Sequence, residues 1–315
     1  MLNRRQLRVK VLQVLYAYQA SEDKVVKTFE KKLLESVDEV YEMYISLLGL
    51  LVSVADYVLI DADERANKHR PDETDLHANT KLNTNKFIQL LRDHPVYQAG
   101  AQKYALEYNF DREVVKDIFN ILKSSEAYEA YLLSQDTSLR AEKDIIKYIF
   151  KKIIRKTPGI EQVFEEKFIN WSVDKDVLEA MMAKTFSNFQ SEVAKENKLA
   201  LISASWSEDR DYILDLTRRV ITFDQEFQQY IADKTEKWDA ERIAVIDVLL
   251  MKMAISELVH FPEIPVKVTM NEYIEIAKEF STPKSNLFIN GILDKIMLDL
   301  RAAGKIRKTG RGLIE

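Results

Sequence analysis

The chain has 315 residues, enough for one large core or two smaller ones. A formal net charge of -5 excludes a polycation drawn to nucleic acid by bulk charge, so any such contact has to come from local patches. Cysteine is absent, which excludes disulfides, thiolate zinc sites and Cys nucleophiles and fits a reducing cytoplasm, while only 7 Gly and 6 Pro point to an all-α protein of long helices with few turns.

Asn3 is placed to N-cap a helix running to about Ala20. Leu7, Val11, Val14, Leu15 and Tyr18 form its expected buried stripe, and Arg5, Arg8, Leu12 and Tyr16 fall along an adjoining flank. Arg4, Arg5, Arg8 and Lys10 precede the first acid, Glu22. Cations in a first helical turn oppose the macrodipole by ~0.3 to 1 kcal/mol each. They are therefore odd as pure stabilisers, and the segment is either a solvated charged end or a binding patch.

A second helix is expected from Lys27 to about Ala66, with Phe29, Leu33, Val37, Val40, Tyr44, Leu47, Leu48 and Leu51 in step. Within it, residues 43–60 approach membrane-spanning length, but Asp56 interrupts them. Because a carboxylate inside a bilayer is costly, a buried core helix is the better reading. Residues 67–85 offer almost nothing to bury and are expected to form a long exposed loop. Residues 86–206 supply further amphipathic segments, such as Ile145, Ile146, Ile149, Phe150 and Ile153, without a repeat period.

Residues 209–234 read as one helix. In the next, Ile243, Ile246, Leu250, Met253, Ala254 and Leu258 share a face, and Pro262 and Pro265 end it. Thr269 and Glu272 have the spacing of a capping box for a following helix. Thr282 and then Pro283 open a last one, whose buried face is Phe288, Ile289, Ile292, Leu293 and Ile296. Asp247 sits on an apolar flank and needs a partner, with Lys252 or Arg242 as the internal choice. His260 is expected to place a partial charge against the helix-end carbonyls. Arg301, Lys305, Arg307, Lys308 and Arg311 form a second basic patch near Glu315.

Several ordered motifs now carry a resemblance. Arg242 with Ile246 and Asp247, MAISEL at 253–258, Ile264 and Pro265 with Lys267 and Val268, Asn271 and Glu272, FING at 288–291 and LDK at 293–295 are similar to the C-terminal half of the NusB family. RRQLR at 4–8 followed by LQVLYAYQ at 12–19 resembles that family's arginine-rich first helix. The resemblance implies a NusB-like helical bundle made from residues 1–61 and 207–315, with a three-helix unit at 238–300. Residues 62–206 would be a helical insertion without an assigned role.

The same resemblance implies the function of a transcription antitermination factor. Arg4, Arg5, Arg8 and Tyr16 would bind a boxA-like single-stranded segment of nascent ribosomal RNA, with Lys284, Asn286 and Phe288 in second rank. Arginine suits that task because its planar fork pairs with phosphate and stacks on unpaired bases. Glu241 and Asp247 would face NusE, the small-subunit ribosomal protein, and the RNA polymerase elongation complex would be an indirect partner. Lys284 stands where many NusB proteins carry an acid, and Lys252 and Ser256 replace the family's usual Arg and Tyr.

His occurs only at 69, 77, 94 and 260, with no metal-ligand spacing, and there is no phosphate-cradling glycine loop or nucleophile elbow. No enzyme, cofactor, metal or membrane partner is expected. Two alternatives stay open: a helical interaction scaffold without RNA binding, and a fragment of an RNA cytosine methyltransferase. The latter needs a glycine-rich cofactor fold and a catalytic Cys, neither of which these residues contain.

Overall fold

The computed structural model describes residues 1–106, 110–235 and 243–313. Among the described residues there are fifteen α-helices and no strand, so the class is all-α. They are α1 (Arg4–Ala20), α2 (Val26–Ala66), α3 (Glu73–Leu76), α4 (Lys86–Arg92), α5 (Pro95–Lys103), α6 (Arg112–Lys123), α7 (Glu126–Leu133) and α8 (Leu139–Tyr148). After them come α9 (Pro158–Lys167), α10 (Trp171–Asn188), α11 (Trp206–Thr222), α12 (Asp224–Thr235), α13 (Val245–His260), α14 (Val266–Phe280) and α15 (Ser285–Ala302).

Contacts divide the chain into two compact units. The terminal unit joins residues 2–37 to 203–315, and the middle unit holds residues 38–202 together with Met1. The division falls within α2, after Val37.

In the terminal unit α13 is the central element, with α1, α11, α12, α14 and α15 all packed on it. Every residue from 249 to 258 is buried, so this helix is covered on all sides rather than along the single face that the apolar spacing predicts. The run includes Lys252 and Glu257, whose charges therefore need partners inside the protein. Lys252 takes Asp224 at 2.6 Å.

Four details of this unit differ from the sequence expectation. Residues 209–234 form two helices, because the chain breaks at Phe223, whose ring stacks on His260 at 4.8 Å. His260 packs its ring on Phe223, and burial lowers its pKa. The Lys308 ammonium serves that helix end, donating to the carbonyls of Glu257 at 3.2 Å and Phe261 at 2.9 Å. Thr269 is not an N-cap, because α14 begins at Val266, and its hydroxyl is buried against Glu257 at 2.7 Å. Finally, α15 starts at Ser285 rather than Thr282, since the hydroxyls of Ser281 and Ser285 both donate to the Asp247 carboxylate.

The middle unit is organised round the second part of α2, where every residue from 43 to 51 is buried. Gly49 lets Leu106 approach, as a Cβ there would lie 2.8 Å from Leu106 Cδ1. One polar knot fixes this centre: the Tyr44 hydroxyl meets Thr185 Oγ1 and accepts from the Ala200 amide at 3.1 Å. Around it lie rings such as Phe87, Phe186 and Phe189. The helix is apolar and long enough to cross a membrane, but 72% of that window is buried inside the protein, as a core helix would be.

Residues 67–85 are not a featureless loop. Asp75 is buried beneath Arg65 at 2.9 Å and Lys68 at 2.8 Å, which hold its carboxyl down to about 2. Leu82 is wholly buried. A single buried leucine and one paired acid leave no periodic signal in a polar stretch.

Candidate functional site

The site begins with the entry into α1. Asn3 accepts from the Gln6 amide at 3.0 Å, and the Gln6 side chain accepts from the Asn3 amide at 2.8 Å, so a capping box fixes the first turn. That turn points Arg4, Arg5 and Arg8 into an open cleft of about 1050 Å³ in the terminal unit. Carboxylates of Glu208, Asp211, Asp215, Glu263 and Glu272 also line it, so its charge is mixed. Its floor is apolar, formed by Phe261, Pro262, Ile264, Pro265 and Val268.

The three arginines occupy different depths. Arg8 is 2% exposed and forms a bidentate pair with Glu257, at 2.9 and 2.7 Å. Glu257 also accepts from Tyr212 at 2.8 Å, Thr269 at 2.7 Å and Tyr273 at 3.2 Å. Burial alone would push the Glu257 carboxyl up, but the Arg8 charge and the hydrogen bonds hold it below its ordinary value. Burial also pushes the phenols of Tyr212 and Tyr273 well up, so both remain neutral donors. Arg8 thus joins α1 to α13, with its guanidinium committed to the core.

Arg4 and Arg5 lie at the mouth, each with 42% of its side chain exposed. Arg4 pairs through Nε with Asp209 at 2.9 Å and lies over the Tyr212 ring, 4.2 Å from its centroid. Arg5 pairs with Glu272 through Nε and Nη2, both at 2.9 Å, and this hydrogen bonding raises its pKa. A guanidinium carries five N–H donors, so each keeps some for a ligand. Tyr16, at 50% exposed, presents its ring on the surface of α1.

The second-rank residues lie on another turn. Lys284 is exposed, while Asn286 and Phe288 are half-buried. That turn is tied to the start of α13 by Asp247, which accepts from Ser285 at 2.7 Å and from Ser281. Asp247 is itself buried, and among the described residues it takes these hydroxyls, while Lys252 pairs with Asp224. On α13, Asp247 and Glu257 are ten residues apart, about 15 Å at the helical rise, so the turn and the arginine cleft are separate places along the helix. Glu241 lies outside the described residues, as does Arg242.

Sequence reasoning missed Glu257, although the argument applied to Asp247 reaches it equally, since a carboxylate within an apolar helix needs a partner. It also missed that the C-terminal basic patch contributes Arg311 to the same cleft as the N-terminal arginines. No local pattern connects residues so far apart.

Among the described residues the protein is an all-α bundle with arginines, carboxylates and apolar side chains lining one cleft. The family model described as the NusB family matches residues 175–298. A protein named transcription antitermination protein NusB from Salinibacter ruber is 41% identical over 144 residues, covering 44% of this chain and 90% of that protein. Proteins of the same name from Chloroherpeton thalassium and Natranaerobius thermophilus are 41% and 38% identical, over 50% and 66% of their own lengths. The chain belongs to the NusB family. No solved structure matches it.

Proposed function

We propose that this chain is an RNA-binding transcription antitermination factor that binds a boxA-like segment of nascent ribosomal RNA together with NusE. The observation that carries the reading is the placement of Arg4 and Arg5, half-exposed at the mouth of a cleft with an apolar floor, in a chain whose relatives are named for antitermination. The matched family segment starts at residue 175, so the role given to α1 rests on its residues and geometry. Arg4, Arg5 and Tyr16 contact the strand directly, and Arg8 holds the first turn in place through Glu257. Lys284, Asn286 and Phe288 extend the path at the turn before α15. Glu241 and Asp247 mark the face toward NusE, with Asp247 acting through the turn that it ties.

Binding of a boxA-like RNA and a scrambled control, with and without NusE across a salt series, tests this. Arg4 and Arg5 alone, each neutralising one phosphate, give log K a slope against log salt of about -1.4. Preference for the boxA-like strand, improved by NusE, is the expected result.

One observation favours a second reading. Asp209, Glu272 and Glu257 already satisfy the three arginines, as a scaffold without RNA binding would require. That reading predicts no salt-dependent RNA binding and no effect of Arg4→Ala or Arg5→Ala on RNA.

A further inference from the structure

The segment after α15 is built as a strap over the end of α13. Lys305 is anchored by Glu226 at 2.9 Å and by the Tyr230 hydroxyl. Lys308 donates to the carbonyls of Glu257 and Phe261, and the Thr309 amide donates to the Pro262 carbonyl at 3.0 Å. Gly310 has φ +53, a left-handed conformation suited to glycine. Gly312 lies directly against the Pro262 carbonyl oxygen, where a Cβ would collide with it.

These anchors place the exposed Arg311 in the cleft with Arg4 and Arg5. Arg4 and Arg5 each hold a carboxylate, whereas Arg311 makes no ion pair with a described residue. Its whole fork is therefore available for a bidentate contact with an anion of phosphate geometry. The nearby floor of Pro262, Pro265 and Val268 is apolar and suited to the face of an unpaired base.

We propose that Arg311, held in the cleft by the C-terminal strap, binds a backbone phosphate of the same single strand that Arg4 and Arg5 contact. The proposal rests on the RNA-binding reading and adds the strap to that site. A phosphate contact adds affinity without reading sequence, so the strap strengthens binding to any strand that enters the cleft.

The test measures the boxA-like RNA and the scrambled control against full-length wild type, Arg311→Ala, Arg311→Lys, Gly312→Ala and the Arg4→Ala/Arg5→Ala pair across a salt series. Arg311→Ala is expected to weaken binding to both RNAs by the same factor, roughly tenfold, and to flatten the salt slope by about 0.7. Arg311→Lys should restore the slope with part of the affinity. Gly312→Ala should mimic Arg311→Ala while keeping the arginine, because it lifts the strap from Pro262. Wild-type slope and affinity in both Arg311→Ala and Gly312→Ala, with a clear loss in the Arg4→Ala/Arg5→Ala pair, would overturn the strap proposal and leave the RNA reading standing. Loss confined to the boxA-like strand would overturn the phosphate assignment. No RNA binding by wild type would overturn both.

Discussion

Residues 43–51 of α2 and residues 249–258 of α13 are both buried on every side, each at the centre of its own unit. The middle unit closes round α2 with aliphatic side chains, rings and a hydroxyl knot at Tyr44, and keeps its buried carboxylate Glu142 on the Tyr131 hydroxyl at 2.9 Å with no cation on it among the described residues. The terminal unit closes round α13 with a carboxylate, Glu257, paired to Arg8 and ringed by Tyr212, Thr269 and Tyr273. A buried ion pair is a weak source of net stability, since desolvation offsets its Coulomb gain, but breaking it is expensive. What it supplies here is position: Arg8 fixes the α1 turn from which Arg4 and Arg5 reach the cleft. The contrast teaches that the terminal unit uses the buried Arg8–Glu257 pair to aim a surface, whereas the Tyr44 knot closes the core of the middle unit.

That contrast can be broken most sharply at its charged end. Glu257→Ala, which removes the bidentate partner of the buried Arg8 and leaves it only Glu272 at 3.6 Å, should destabilise the terminal unit by about 3 to 5 kcal/mol in urea denaturation. In the middle unit the largest effect should come from volume: Leu48→Ala, at a wholly buried site, should cost about 2 to 5 kcal/mol with no change in pH dependence. Tyr44→Phe removes a neutral hydroxyl and should cost less, about 0.5 to 1.5 kcal/mol, because Thr185 keeps the Met181 carbonyl and the Ala200 amide keeps Thr185.

The stability of the terminal unit should also depend on pH through Glu257. The pKa of Glu257 is depressed in the folded state, so its contribution is present above the unfolded carboxylate value of about 4.3 and is lost as pH falls through the lower folded value. Acid titration of stability should therefore show the terminal unit weakening below about pH 4.3, with that increment missing in Glu257→Gln. At the mouth of the cleft, Arg4→Ala and Arg5→Ala should each change stability by no more than about 1 kcal/mol, as exposed ion pairs do.

Much of this contrast is legible in the sequence. The Asn3 cap, the stripe of Leu7, Val11 and Leu15, and the apolar run of α2 all lie where local periodicity and capping chemistry place them. What local reasoning misreads is side chains diverted to long-range partners. Thr269 has capping-box spacing but serves Glu257 on the previous helix, and Glu272 reaches Arg5 across the chain. His260 stands in the last turn of α13, yet Lys308, far along in sequence, donates to the carbonyls of Glu257 and Phe261. Arg8 shares a flank with Arg5 at helical spacing, and only the position of Glu257 separates a buried anchor from an exposed contact. The resemblance on quoted motifs led to the family, while the joining of both basic termini in one cleft needed the fold.

The most direct measurement of the central claim is the affinity of the boxA-like RNA for wild type and for the Arg4→Ala/Arg5→Ala variant over a salt series. The account predicts salt-dependent binding whose log–log slope falls by about 1.4 in the variant, with an unfolding midpoint near that of wild type. Identical affinity and slope in the two proteins would contradict it and assign those arginines to Asp209 and Glu272 alone.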